Sequence, residues 1–341
     1  MTPLLWVLPI LLLCGCGSAG KAKDGPGWIS DPYKVYSRTA YIAAVGYAPV
    51  RNQAEKNALA SLSAIFGQSV SSESSSSYSY SQALEAGKSG WAENADIAQA
   101  VKTSVEMDTL IGAEIKDVWN DGTTFYAVAA MERAKAGLIY SELIQTNLRT
   151  IDNLTRFSAA EPGSFEDYSR YRKAAQIADA NTVLAKVMKL ISPGSMAGEN
   201  LKSGDEYRIE AAEIAKNIPI AVTVENDRQA RIQSAFSQAL TAGGFRVGGN
   251  DARYTLNVLL LLEEISFSGN PNKFIRYTVD ADLVDTFTGM VLFPWNINAR
   301  EGHANAAEAE NRALRAAENE IKKSYISALG NSLGNSGGSK K

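Results

Sequence analysis

From Phe274 to Thr286 the side chains alternate strictly. Ile275, Tyr277, Val279, Ala281 and Leu283 fall on one side, and Arg276, Thr278, Asp280 and Asp282 on the other. A period of two belongs to an extended strand with one face on a core and one in water. Thr288-Gly289 turns the chain, and Met290 to Ala299 returns with Val291, Phe293, Trp295 and Ile297 on one face. A hairpin with one apolar face is not stable alone and needs another layer to cover it. The Ala-rich stretch 304–329 supplies a helix for that purpose. Ala306, Ala313, Ala317, Ile321 and Tyr325 form its sheet-facing stripe. Glu308/Arg312 and Glu318/Lys322 sit four residues apart on its flanks.

The same block begins at Ile218. Ile218 to Val224 reads as a strand, and Asp227 to Ala242 as a helix with Ile232, Phe236 and Leu240 on its stripe. Gly243-Gly244 follows that helix and acts as its C-terminal stop, not as a phosphate loop. Phe245 to Val247 is a short strand. Tyr254 to Phe267 is a long one, and its apolar run of Leu256 and Val258 to Leu262 predicts a central strand covered on both faces. Gly330 to Lys341 is rich in Gly, Ser and Asn and reads as a disordered tail.

Residues 28–133 read as an earlier block. Thr39 to Tyr47 is a strand. Gln53 to Phe66 is a helix with Ala54, Ala58, Leu62 and Ile65 inward and Gly67 as its stop. Nine serines lie between Ser69 and Ser81, interrupted by Val70, Glu73, Tyr78 and Tyr80, which suits a polar edge strand or a loop. Residues 83–98 read as a solvated loop or helix. Val101 to Val105, Leu110 to Trp119 and Thr123 to Met131 are strands, and Asp121-Gly122 predicts a tight type I′ hairpin. Between the blocks, 134–159, 165–191 and 205–217 read as helices, a connector spanning 134–217. The fold class is α+β: two small α/β sheet-and-helix modules joined by a helical segment.

The first residues address the chain. Leu4 to Leu13 is an uncharged apolar block, which suits the core of a secretory signal. A spanning helix needs ~20 such residues, and here the block runs into Gly15, Gly17, Ser18 and Gly20. Leu13-Cys14-Gly15-Cys16 resembles a bacterial lipobox. That resemblance implies cleavage after Gly15, a diacylglyceryl thioether on Cys16, and a flexible tether over 16–27. Cys14 is the other thiol available for the same chemistry. Each buried CH₂ contributes about 0.8 kcal/mol, so two or three acyl chains hold firmly.

A family resemblance covers roughly 38–140. Ala44-Val45-Gly46-Tyr47-Ala48, then Ala54, Asn57, Ala58 and Leu62, then Gly112-Ala113-Glu114-Ile115, Trp119 and Tyr126 to Arg133 are similar to the Lpp-twenty lipoproteins and to the N-terminal domain of flagellar assembly protein T. The resemblance implies an envelope lipoprotein, facing the periplasm from the outer membrane, and carries no catalytic residue. The C-terminal order of elements is similar to small periplasmic modules of peptidoglycan-synthase activators, a likeness of fold class only.

The remaining chemistry is sparse. Lys and Arg total 34 against 37 Asp and Glu, a net charge of -3, so no basic excess exists to neutralise nucleic-acid phosphates. His303 is the single histidine and reads as a solvated turn residue. Asp280, Asp282 and Asp285 form a carboxylate cluster in sequence, the first two ~7 Å apart on one strand face, which reads as the wet face. Lys88 beside the serines is the one conceivable base there. Trp28, Trp91, Trp119 and Trp295 are candidate binding aromatics, with Trp119 and Trp295 expected in cores. Trp91, Tyr78 and Tyr80 are the expected partner surface. No cofactor and no metal are expected. The expectation is a non-enzymatic scaffold or adapter anchored through Cys16, with an unidentified periplasmic protein partner. Regulation of flagellar assembly, activation of a peptidoglycan synthase, and a carboxylate-dependent envelope hydrolase are the alternatives.

Overall fold

The computed structural model describes residues 25–71, 82–86, 110–156, 163–195, 201–249 and 252–336. The chain divides into two compact units. One is drawn from Met1–Leu62 and Ala113–Met131, the other from Ser63–Gly112 and Glu132–Lys341.

The first unit is a three-stranded sheet in the order β1 (Tyr41–Ala48), β3 (Phe125–Glu132), β2 (Ala113–Asn120). Helix α1 (Arg51–Ser71) packs on it. Its Ala54, Ala58 and Leu62 are fully buried. Gly46 permits the contact: a Cβ there would stand 2.1 Å from the Ala58 backbone nitrogen and 2.7 Å from the Ala54 carbonyl oxygen. β2 and β3 are antiparallel, from Ala113 opposite Met131 to Asn120 opposite Phe125, with Lys116 as the extra residue of a bulge.

The structure differs from the sequence pattern at three points of this segment. Gly67 does not stop α1, which runs on to Ser71. Gly67 keeps a negative φ, so it lacks the left-handed turn that ends helices and costs only about 1 kcal/mol as a helix interior residue. Phe66, not Ile65, is buried: Ile65 is 39% exposed and Phe66 only 1%. The β2–β3 turn is a longer loop, Asp121 to Thr124, with only Gly122 at positive φ (108°). A type I′ turn needs two such residues. Here the Asp121 side chain organises the loop instead.

The second unit holds α2 (Arg133–Arg156), α3 (Phe165–Ile191), α4 (Gly204–Ala215), β4 (Pro219–Glu225), α5 (Arg231–Ala242), β5 (Arg246–Val247), β6 (Tyr254–Ile265), β7 (Lys273–Asp285), β8 (Met290–His303) and α6 (Ala306–Ser336). The sheet order is β5-β4-β6-β7-β8. β4 is parallel to β5 and β6, and β6, β7 and β8 form an antiparallel meander. Ser164 caps α3 by accepting from the Asp167 amide at 3.2 Å, and Ser203 with Glu206 forms a reciprocal capping box on α4. Gly244, at φ 86°, ends α5 in the left-handed turn expected of a C-terminal stop.

The core of this unit lies between one sheet face and the helices. Ile220, Leu256, Val258, Val279, Ala281 and Leu283 meet Ile232 and Phe236 of α5 and Ala313, Ala317, Ile321 and Tyr325 of α6. Phe236, Trp295 and Tyr325 stand edge to face, with centroids 5.0–5.8 Å apart. Trp295 thus packs against the core, as its strand position implies.

β6 is covered on one face only. Tyr254, Leu256, Val258 and Leu260 are buried, but Asn257 and Leu261, at positions of the other parity, are exposed. The core helices pack against the side carrying Leu256 and Val258, so an apolar run did not signify two covered faces. The tail also departs from expectation. α6 continues through Gly330 to Ser336, because Leu333 extends the stripe of Leu329 and is buried. The Ser169 hydroxyl of α3 donates to the Leu333 carbonyl. Finally, residues 82–86 are helical with Ala83 and Leu84 buried; these two are core residues, Ala83 packing with Ala180 and Val183, not part of a solvated stretch.

Candidate functional site

The first unit presents its aromatics in a row. Tyr47 of β1, Tyr126 of β3 and Trp119 of β2 follow one another across the sheet. The Tyr47–Tyr126 centroids lie 6.3 Å apart and the Tyr126–Trp119 centroids 5.6 Å. Trp119 and Tyr126 are register partners, so strand pairing alone sets them side by side. Gly46 points into α1, so its neighbour Tyr47 points away and is 68% exposed. The Tyr47 carbonyl accepts from Asn57 Nδ2 at 2.9 Å, which fixes its backbone to the helix. Val50 beside it is 63% exposed.

A groove of about 360 Å³ runs along the β2 edge next to this row. Its lining is Ile115 to Asn120 with Arg51 and Phe125. Its charged side chains are already engaged. Arg51 pairs with Glu55 at 2.8 Å, and Lys116 with Glu114 at 2.7 Å. Asp117 accepts from Trp28 Nε1 at 3.0 Å and from the Val118 amide at 2.8 Å. Such a groove offers shape, aromatic surface and a rim of compensated charge. Those are properties of a docking surface more than of a reaction centre.

Asp121 closes the row at the loop. Its Oδ1 accepts from the amides of Thr123 and Thr124 and from the Thr123 hydroxyl, each at 2.8 Å. Those backbone and hydroxyl donors hold its carboxyl down to about 2. Its Oδ2 accepts from the Tyr126 hydroxyl at 3.3 Å, so the loop also orients the central ring.

The residues expected to matter fall elsewhere. Cys14, Cys16, Tyr78, Tyr80, Lys88 and Trp91 all lie outside the described residues. Trp28 is not a surface aromatic: it is 2% exposed and tied to Asp117. His303 ends strand β8, and its Nδ1 accepts from the Asn305 amide at 3.2 Å. Asp280 and Asp282 are exposed on the open sheet face, but Asp285 does not join them. It is 5% exposed on the opposite parity of the strand and binds Arg253, Nη2 to Oδ2 at 2.9 Å. Among the described residues, no group of three or more His, Cys, Asp or Glu side chains is placed to hold a metal ion. No described helix is long and apolar enough to cross a membrane. The Tyr47–Tyr126–Trp119 row escaped sequence reading because it comes from three strands. The one available signal was the pair Gly46-Tyr47, small then large on opposite faces.

Residues 26–132 match the LPP20 lipoprotein family. No curated protein matches the chain. Among solved structures, it is similar to a secreted protein from Helicobacter pylori at 12% identity, over 83% of this chain and 98% of that one, with a TM-score of 0.41. A minor lipoprotein from Acinetobacter baumannii has 12% identity over 33% of this chain and 93% of that one, with a TM-score of 0.27. Rare lipoprotein B from Shewanella oneidensis has 12% identity over 34% and 92%, with a TM-score of 0.24.

Proposed function

We propose that the protein is a non-enzymatic envelope lipoprotein, held at a membrane by acyl chains on Cys16, that docks a periplasmic protein partner. The observation carrying this reading is the LPP20 lipoprotein match beginning at residue 26, a short tether beyond the lipobox cysteine. The anchor fixes the chain at the bilayer, and the tether over 16–27 lets the folded part reach away from it. The partner-facing element is the Tyr47–Tyr126–Trp119 row with the β2-edge groove. Tyr47 is exposed, while Tyr126 and Trp119 are half-buried beside it and keep part of their surface for a partner; aromatics held on a rigid sheet supply contact area at low entropic cost. Among the described residues β2 has a strand neighbour on one side only, which suits backbone pairing by an extended segment. An outer-membrane position facing the periplasm completes the proposal.

Photo-crosslinking in intact cells tests it. A photoreactive residue at position 47 is expected to give one discrete protein adduct, lost when Trp119 is changed to Ala. The same residue at position 282, on the open sheet face of the other unit, gives none. Equal patterns from 47 and 282, or an adduct at 47 indifferent to Trp119→Ala, would contradict the reading.

A further inference from the structure

The turn between β7 and β8 puts apolar side chains in water without apparent need. Phe287 is 77% exposed, Met290 53% and Val291 50%. They sit at the hairpin tip, in and directly after the turn 286–289. The loop is nonetheless rigidly built. Thr286 N donates to the Arg253 carbonyl at 2.8 Å. Phe287 N donates to Asp285 Oδ1 at 2.9 Å, and the Thr288 amide also bonds the Asp285 carboxylate. Gly289 N donates to the Asp285 carbonyl at 2.8 Å, with Gly289 at φ 70°. Met290 N donates to Thr288 Oγ1 at 3.3 Å. Every backbone N–H from 286 to 290 is therefore satisfied inside the protein.

The charges at the tip are compensated in the same way. Arg253 grips Asp285 with Nη2 and Nε at 2.9 and 3.3 Å. Its guanidinium also lies 5.3 Å from the Phe287 ring centroid. No charged side chain stands between Thr286 and Val291. Water-facing turns need neither internally satisfied N–H groups nor three apolar side chains. A segment entering lipid needs both, because each unmet backbone donor there costs several kcal/mol.

We propose that the β7–β8 tip is a lipid-contacting element, with Phe287, Met290 and Val291 entering the headgroup–acyl boundary of a bilayer. The proposal rests on the envelope-lipoprotein reading, which brings the chain to a membrane. The tip then acts as a second, reversible contact that orients the second unit on the surface.

The test uses the full-length protein with Met290→Cys carrying an environment-sensitive fluorophore, and Asn298→Cys on the same strand as control. Vesicles of phosphatidylethanolamine and phosphatidylglycerol are added, some with spin-labelled acyl chains. The label at 290 is expected to shift to the blue and be quenched by the spin label, while the label at 298 does neither. Phe287→Ser, an exposed and fold-neutral change, is expected to weaken that contact about tenfold, the equivalent of one Phe side chain leaving an apolar phase. An unchanged spectrum at 290 in the presence of vesicles overturns the proposal. So does a blue shift produced only by added envelope proteins and not by lipid, which assigns the tip to a protein pocket. Flotation of the same sample reports the anchor separately. A chain that fails to float but still shifts at 290 supports the tip while contradicting the anchor.

Discussion

Asn147 of α2 donates its Nδ2 to Asn181 Oδ1 of α3 at 2.8 Å, in an interface where both side chains are 1% exposed. Asn181 Nδ2 reaches the Ile144 carbonyl at 3.4 Å, and Asn147 Oδ1 has no partner. The pair fixes one register of the two long helices, since a slip would leave two buried side-chain amides unpaired. Asn147→Ala is expected to cost about 1–3 kcal/mol by stranding Asn181. Replacing both by Leu should recover most of it. A double-mutant cycle by urea denaturation checks this, and additive losses would count against the pairing.

Gly46 predicts a sharper penalty from a smaller change. An alanine Cβ would meet backbone atoms of α1, which cannot move aside as a side chain end can. Gly46→Ala should destabilise the first unit by about 1–3 kcal/mol. Gly67→Ala, with open space around the added carbon, should stabilise α1 by about 1 kcal/mol. Thermal melts of the two variants should move in opposite directions.

Tyr325 is buried among Phe236, Phe293 and Trp295, and its hydroxyl has no hydrogen-bond partner. Burial drives its ionisation far above the ordinary tyrosine range. Tyr325→Phe removes an unmet polar group and should be neutral or stabilising by about 1 kcal/mol. Tyr325→Ala opens a cavity and should cost about 3–5 kcal/mol. A Phe variant as damaging as the Ala variant would reveal an unseen partner for the hydroxyl.

Asp121 gives a pH signature. Its folded-state pKa is depressed to about 2 from 3.8. The stability it contributes is therefore complete above about pH 4 and lost as pH falls through about 2. Asp121→Asn should flatten the dependence of the melting temperature in that window and leave other acid transitions in place. Titration of the Asp121 carboxyl by NMR should place its midpoint near 2, and a midpoint near 4 would remove the loop's role.

Period and punctuation made most elements legible in the sequence. The alternation of 274–286 and the stop at Gly243-Gly244 were local facts, and the structure keeps them. What escaped depended on partners far along the chain. Ile65 and Phe66 are adjacent and both apolar, so only the packed helix decides which is buried. Leu256 to Leu262 could not tell whether helices cover one face or two. Asp285 looked like its neighbours Asp280 and Asp282, but strand parity turns it inward, where Arg253, just before β6, meets it. Leu333 held the end of α6 because a helix from much earlier in the chain lay beneath it. The candidate site was less legible than the fold, because Tyr47, Trp119 and Tyr126 become neighbours only through strand order.

The proposed function depends first on acylation of Cys16. Intact mass of the membrane-extracted protein tests it most directly, with wild type beside Cys16→Ser and Cys14→Ser. The mature wild-type chain is expected to begin at Cys16 and to carry diacylglyceryl and amide-linked acyl mass. Cys14→Ser is expected to give the same, and Cys16→Ser neither cleavage at that bond nor acyl mass. An unacylated chain cleaved elsewhere, or acyl mass that survives Cys16→Ser, would contradict it.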